Sequence, residues 1–420
     1  MKSYPILNKL SIQERIPRLL CCAILVTLPF QEINNVLSMV FAVYGLFEWW
    51  RAGFRIDRND WMIFLPALLL GFYLIGLLWS VDFVRAWKQV EKILLFAAFP
   101  VGLYGLRHRL KQEDLVFVLN TWVFLCLLAS LICYVNAAQN IIGHDSFSVV
   151  EHKERQYYYY SYLYLVEPVG IDPIYLSLYV NFSIVILVLR PFAGKIANML
   201  IVGYLVVFNV LISSKIGIIA LVVVGLLYLL YRIRNKYMAV GAAAVLLILL
   251  IAVIQKSHFL RSRFVQATTY EFDDAYAGNW NSISQRLAIW KCAAEAAADV
   301  FPLGYGTGSG QYKLHDKYVK YHYTRGIEDN YNAHSEYLFT LLDIGALGLV
   351  VVLLMIILPL VRAFRTNNHM LFCLQCFILI YFSVEVIFAR RFGIFFYAFF
   401  YPLLFVYGMS ATDVKRTTAA

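Results

Sequence analysis

Long apolar runs recur along the chain, and nearly every gap between them is short and carries arginine or lysine. A helix needs about 20 mostly apolar residues to cross a bilayer. Twelve candidate runs can be laid out, near 17–30, 33–50, 61–79, 91–106, 115–136, 174–189, 196–213, 216–231, 238–255, 335–361, 369–388 and 392–410. Of 420 residues, 61% are hydrophobic and only 15% charged, whereas about a quarter of an ordinary soluble domain is charged. The expected class is an all-α polytopic membrane protein with about twelve transmembrane helices. The formal charge of +10 would point to nucleic acid in a soluble chain. Here the basic residues cluster between apolar runs, so membrane lipids are the expected surroundings and no nucleic-acid partner is expected.

Orientation follows from the basic clusters. Lys2 to Arg18, Arg51/Arg55/Arg58, Arg107/Arg109/Lys111, Arg190/Lys195, Arg232/Arg234/Lys236, Arg362/Arg365 and Lys415/Arg416 alternate in phase with the spans and are assigned to the cytoplasm, with both termini. The other side receives a short loop around Arg85 and Lys88, a medium loop at 137–173, a tight turn at Lys215, a loop of roughly 80 residues and Arg390-Arg391. The organisation is therefore 1–255 as spans one to nine, 256–334 as a large outer loop, and 335–420 as spans ten to twelve with a tail. A loop that long usually has a function, and this one has helical signals. Ser282-Ile-Ser-Gln opens an alanine-rich stretch that should end at Asp299 to Pro302, and a polar helix is expected over about Gln311 to His322. The first apolar run follows basic residues but lacks a small-residue cleavage site, and reads as the first span. Cysteines show neither a disulfide framework nor zinc spacing.

His334 marks the seam between this loop and the tenth span. With Asn332 as N-cap it should occupy the first helical turn, where the dipole keeps an imidazole neutral and able to accept a proton. A helical projection puts Tyr337, Leu338, Leu341, Gly345 and Gly348 on its face and turns Glu336 and Asp343 away. The bland alternative is an interfacial histidine bonded to a loop. Lys215 stands alone between two spans and needs a counter-ion, an aqueous path or a snorkelling geometry. Arg286 and Lys291 open the alanine-rich helix, and arginine suits phosphate, although a solvated helix face fits as well. Glu385 is an intramembrane carboxylate five residues before Arg390, its expected partner. Pro302 to Gln311 lacks the ending of a phosphate-binding P-loop and reads better as a helix-breaking turn. Glu271, Asp273 and Asp274 could hold a hard cation but read better as solvated acids. Tyr157 to Tyr160, Tyr162 and Tyr164 fit either a sugar-stacking surface or an interfacial aromatic belt.

Four stretches, SSKIG at 213–217, SISQRLAIWKCA at 282–293, PLGYGTGSGQ at 302–311 and NAHSEYLFTLLDIGALGL at 332–349, resemble the O-antigen ligase and polymerase superfamily of bacterial membrane glycosyltransferases. The resemblance implies a GT-C-type fold in the inner membrane, with a large helical periplasmic loop between spans nine and ten, and an active site on the periplasmic side. It implies metal-independent, inverting transfer without a cofactor, from an undecaprenyl diphosphate-linked glycan to a sugar hydroxyl of lipid A-core or another glycan. His334 matches the histidine proposed to activate the acceptor. Arg286 matches the arginine that engages donor diphosphate, and Lys215 stands where ligases usually have arginine, keeping the charge but not the two-pronged geometry. Lys291, Tyr337, Glu385 and Arg390 are supporting candidates. Asp172-Pro173 departs from the family, whose members often have histidine before that proline. Polymerases and protein O-glycosyltransferases are related alternatives. A glycan transporter, or a metal-dependent oligosaccharyltransferase using Asp273 or Asp274, is a more distant one.

Overall fold

The computed structural model describes residues 12–58, 60–151, 155–192, 194–233, 237–238, 240–241 and 282–417, and the structural statements below concern these residues. The first half contains α1 (Ile12–Val26), α2 (Gln31–Arg51), α3 (Leu65–Gly76), α4 (Phe83–Ile93), α5 (Leu95–Gly105) and α6 (Gln112–His144). A short antiparallel hairpin, Ser148–Glu151 with Arg155–Tyr158, precedes α7 (Tyr162–Val166), α8 (Pro173–Leu189), α9 (Lys195–Ile212) and α10 (Lys215–Arg232). Then follow α11 (Ser282–Ala298), α12 (Gly310–Lys320), α13 (Thr324–Glu328), α14 (Glu336–Thr366), α15 (His369–Val384) and α16 (Arg391–Thr417).

Among the described residues, six helices are long and apolar enough to cross a membrane: Trp61–Trp79, Gln112–His144, Lys195–Ile212, Lys215–Arg232, Glu336–Thr366 and Arg391–Gly408. A seventh is reached if Tyr162–Val169 and Pro173–Leu189, bent by 77°, are one span. Several expected spans are shorter or more polar than their apolar runs. Helices α5 and α15 stop at 11 and 16 residues. Helix α2 is longer but includes Gln31, Glu32, Asn34, Asn35, Glu48 and Arg51. The expected span near 238–255 and the run Glu271, Asp273 and Asp274 lie outside the described residues.

Helix α16 is the centre of the bundle. Its residues Ile394 to Tyr401 are fully buried on every side, as an apolar helix surrounded by others must be. By contrast Ile196, Met199 and Leu200 of α9 are 65% or more exposed. An apolar face of that kind is stable against lipid and would aggregate in water. Gly45 of α2 lets α2 and α5 touch backbone to backbone, since a side chain there would overlap Gly102. Close approach of small residues is a usual source of helix association in membranes. Between α8, α9, α10 and α15 runs a buried polar relay. Ser177 donates to Asn209 (2.6 Å), Asn209 to Asn181 (2.9 Å), Asn181 to the Gly217 carbonyl (2.8 Å), and Tyr381 to Ser177 (3.4 Å).

The outer loop makes its own small core, in which Ile289, Cys292, Ala293 and Ala296 of α11 pack on Leu314 and Tyr318 of α12 and on Leu342 of α14. The alanines of α11 are therefore a packing face. Helices α11 and α12 fall close to their expected bounds. The stretch between them is a strap rather than a phosphate cradle. The amides of Gly308 and Gly310 donate to the Asp343 carboxylate (3.0 and 2.9 Å). Thr307 donates through its hydroxyl to the Tyr73 carbonyl (2.6 Å), tying the strap to α3. Where the strap crosses α14, Gly345 leaves the helix at φ 71°, ψ −165°, and any side chain there would overlap the Pro302 and Leu303 backbone. That backbone region is open essentially to glycine alone.

Candidate active site at one end of the bundle

His334 is not in a helical turn. The Asn332 side chain accepts the His334 amide proton (2.9 Å), closing a local turn two residues long instead of capping the helix. The histidine is thereby held at φ 41°, and α14 begins two residues later behind Ser335. The expected shielding by a helix dipole and the projection of Tyr337, Gly345 and Gly348 onto the histidine's face therefore fail. The Trp290 indole donates to the His334 carbonyl (3.2 Å), and Tyr331 meets the imidazole edge to face, with centroids 5.5 Å apart.

What faces the ring is Glu385. Its Oε2 lies 3.5 Å from Nδ1 of His334, with side-chain exposures of 10% and 24%. This is ion-pair range without hydrogen-bond geometry. The expected pairing of Glu385 with Arg390 is thus replaced by one with His334, because the chain turns extended at Glu385 (φ −149°, ψ 150°) as α15 ends. The Glu385 carboxylate also accepts from the Val386 amide (3.1 Å) and lies in the field of the Arg286 charge. Arg286 donates through Nε to the Val384 carbonyl (3.4 Å), which puts its guanidinium beside the pair.

Asp172, noted in the sequence only as a departure, belongs to the same cluster. It caps α8 by accepting from the Ile174 amide (2.9 Å). The residue is exposed to solvent, yet desolvation of its carboxyl raises it above the usual aspartate range, Glu385 adding to the rise while the Ile174 amide, Arg390 and His334 oppose it. Asp172 also lines a cavity of about 420 Å³ with Leu163, Tyr164, Val166, Ile171 and Pro173.

The segment after α15 is fixed from three sides. Tyr175 of α8 donates to the Val386 carbonyl (3.1 Å), Gln89 of α4 to the Phe388 carbonyl (3.2 Å), and the Phe388 amide to Glu336 (2.8 Å). Glu336 and Asp343 are engaged here and at the strap, away from the imidazole. Lys215 opens α10 behind its cap Ser214. Tyr231, near the other end of α10, packs on His369 at the start of α15 (5.1 Å). The two helices are therefore antiparallel, and Lys215 lies at the end where α15 gives way to Glu385. Two supporting candidates turn elsewhere. Lys291 stands over the Tyr321 ring (5.1 Å), and Tyr337 donates to the Leu379 carbonyl (3.2 Å).

The sequence reading missed one feature. Arg85 and Lys88 are not in a loop but on the amphipathic helix α4. With Gln89 and Lys92 they follow the i, i+3, i+4, i+7 pattern of one helical face, which adjoins the buried Ala86, Val90 and Ile93 and shares with them the buried Gln89. That pattern was present in the sequence, hidden because a span was expected to start at residue 91. Arg85, Lys88, Lys92 and Arg390 line a cavity of about 330 Å³ that Asn332 connects to the His334 turn. The tyrosines of the medium loop stack on one another and on α6, with Tyr159 against His144 (5.3 Å) and Tyr158 against Tyr160 (5.2 Å). Among the described residues no group of three His, Cys, Asp or Glu side chains is disposed to hold a metal.

Residues 200–353 match the family model described as O-Antigen ligase. That stretch includes Lys215, Arg286 and His334, whereas Asp172, Glu385, Arg390 and α4 lie outside it. No curated protein matches the chain. Members of the family are membrane glycosyltransferase-like ligases and polymerases that act on lipid-linked glycans. Over this segment the chain is similar to the O-antigen ligase-like superfamily.

Proposed function

We propose that the protein is an O-antigen ligase-like glycosyltransferase of the bacterial inner membrane, with twelve spans of GT-C type, both termini cytoplasmic and its active site periplasmic. It moves a glycan from undecaprenyl diphosphate to a sugar hydroxyl of lipid A-core, with inversion and without a metal. The observation that carries this reading is the His334–Glu385 contact beside Arg286, two of whose residues lie inside the matched family segment.

In this reading Glu385 is a positioning residue. Its carboxylate faces Nδ1, fixing the ring so that Nε2 is the proton acceptor. The acceptor hydroxyl attacks the anomeric carbon of the donor sugar. Its proton passes to Nε2, the bond between anomeric carbon and phosphate oxygen breaks, and the diphosphate leaves with the electron pair. Arg286 and Lys215 neutralise the charge that develops on the leaving group, a form of stabilisation strongest away from bulk water. Arg390 and Asp172 set the field around the pair.

The test supplies purified full-length protein with lipid-linked glycan alone, with lipid A-core, and with both plus EDTA. Core-dependent transfer that survives EDTA supports the ligase reading. Chain growth without core would make the protein a polymerase, and loss of transfer on chelation would overturn the metal-free mechanism.

A further inference from the structure

The α4 cavity stands apart from the cations assigned to the donor. Arg286 reaches the histidine cluster from the α11 side through Val384, whereas Arg85, Lys88 and Lys92 come from α4 and meet Arg390 across the cavity. Among the described residues no acidic side chain lines it, although Asp82 and Asp343 act on Arg85, and Asp172 on Arg390, from outside its wall. Among the described residues none of the four cations forms an ion pair. Arg85 is held instead over the Tyr312 ring (4.9 Å). Although the Lys92 side chain as a whole is exposed, partial desolvation, followed by the charges of Arg390, Arg85 and Lys88, holds its ammonium below the usual lysine value. Helix α4 is amphipathic and lies outside the membrane-crossing helices. Like charges converge in this way where an anion is to be received.

The remaining lining is amide-rich. Gln89, Gln311, Asn330 and Asn332 are brought there by α4 and the outer loop. Amide side chains both donate and accept, as sugar hydroxyls require. At about 330 Å³ the cavity is within the size range of small-ligand sites. Asn332 belongs both to its wall and to the turn that holds His334.

From these juxtaposed cations, amides and the histidine turn, we propose that this cavity is the acceptor subsite, and that it recognises a phosphate ester on the acceptor glycan while presenting a neighbouring hydroxyl to His334. The proposal rests on the glycosyltransferase reading for its biological meaning. Binding itself can be measured without any transfer.

The experiment uses the full-length protein in detergent, without donor, and measures equilibrium binding of a phosphorylated core oligosaccharide, the same oligosaccharide after phosphatase treatment, and inorganic pyrophosphate as a stand-in for the donor diphosphate. The variant is Lys88→Gln with Lys92→Gln, both residues being solvent-exposed on α4. Charged hydrogen bonds of this kind are worth roughly tenfold or more in affinity each. The expected result is that the variant and the phosphatase treatment each weaken binding at least tenfold and that the two losses do not add, the signature of groups that touch. Affinity should also fall as salt rises. Additive losses, or binding indifferent to both changes, would overturn the proposal. So would pyrophosphate competing for the site while phosphorylated and dephosphorylated glycan bind alike, which would assign the cavity to the donor. If binding behaves as expected and no transfer occurs with any donor, the glycosyltransferase reading fails and the anion subsite stands.

Discussion

Replacing Glu385 with glutamine keeps the side chain's shape and the oxygen that accepts from the Val386 amide (3.1 Å), and removes only the charge facing the imidazole. In the proposed mechanism His334 becomes positive as the acceptor loses its proton. At 3.5 Å and an effective dielectric near 20, a carboxylate stabilises that charge by about 5 kcal/mol. Because the His334 side chain is 24% exposed, solvent reduces this to about 2–4 kcal/mol, or roughly 30- to 1000-fold in rate. The assay is steady-state transfer by purified protein from lipid-linked donor to lipid A-core. The loss should appear in kcat, with the donor KM nearly unchanged, since the charge is needed in the transition state and not for binding. Glu385→Asp should recover part of the rate. A glutamine variant within threefold of wild type, or one whose whole defect is in KM, would refute the positioning role.

Further outcomes follow from the same geometry. The raised carboxyl of Asp172 costs stability once it ionises, so Asp172→Asn, which still caps α8, should raise the unfolding midpoint near neutral pH and leave it unchanged below about pH 4. Gly345→Ala must place a side chain against the Pro302 backbone at φ 71° and should cost roughly 3 kcal/mol or more. Gly203→Ala on α9, where the added carbon meets open space, should leave the midpoint unchanged.

Much of the architecture was legible because it depends on patterns that bilayer and helix physics impose. The ends of α9, α10 and α14 lie near the ends of their apolar runs, whereas α6 continues past the expected end at 136 to His144, and the alanine-rich stretch after Ser282 is helical as its residues indicate. Two kinds of feature were not legible. Where an apolar run adjoined an amphipathic one, as at Phe83 to Gly105, periodicity changed within a few residues, and a loop followed by a span from residue 91 was expected in place of α4 and α5. Contacts between distant segments were the other kind. Nothing local says that Asn332 turns its side chain back on the His334 amide, that Glu385 leaves α15 in extended form to meet the imidazole, or that the Asp172 carboxyl lies in the field of both. The residue types were readable at each position, but their partners are set by the packing of α8, α11, α14 and α15 at one end of the bundle.

The most direct measurement is release of undecaprenyl diphosphate and formation of glycosylated lipid A-core by wild-type protein and by His334→Ala, compared at equal amounts of folded protein recovered from membranes. The expected result is product in stoichiometric amounts with the wild type and none above background with the variant. Unchanged product formation by His334→Ala would remove the histidine from the mechanism and contradict the assignment of this site.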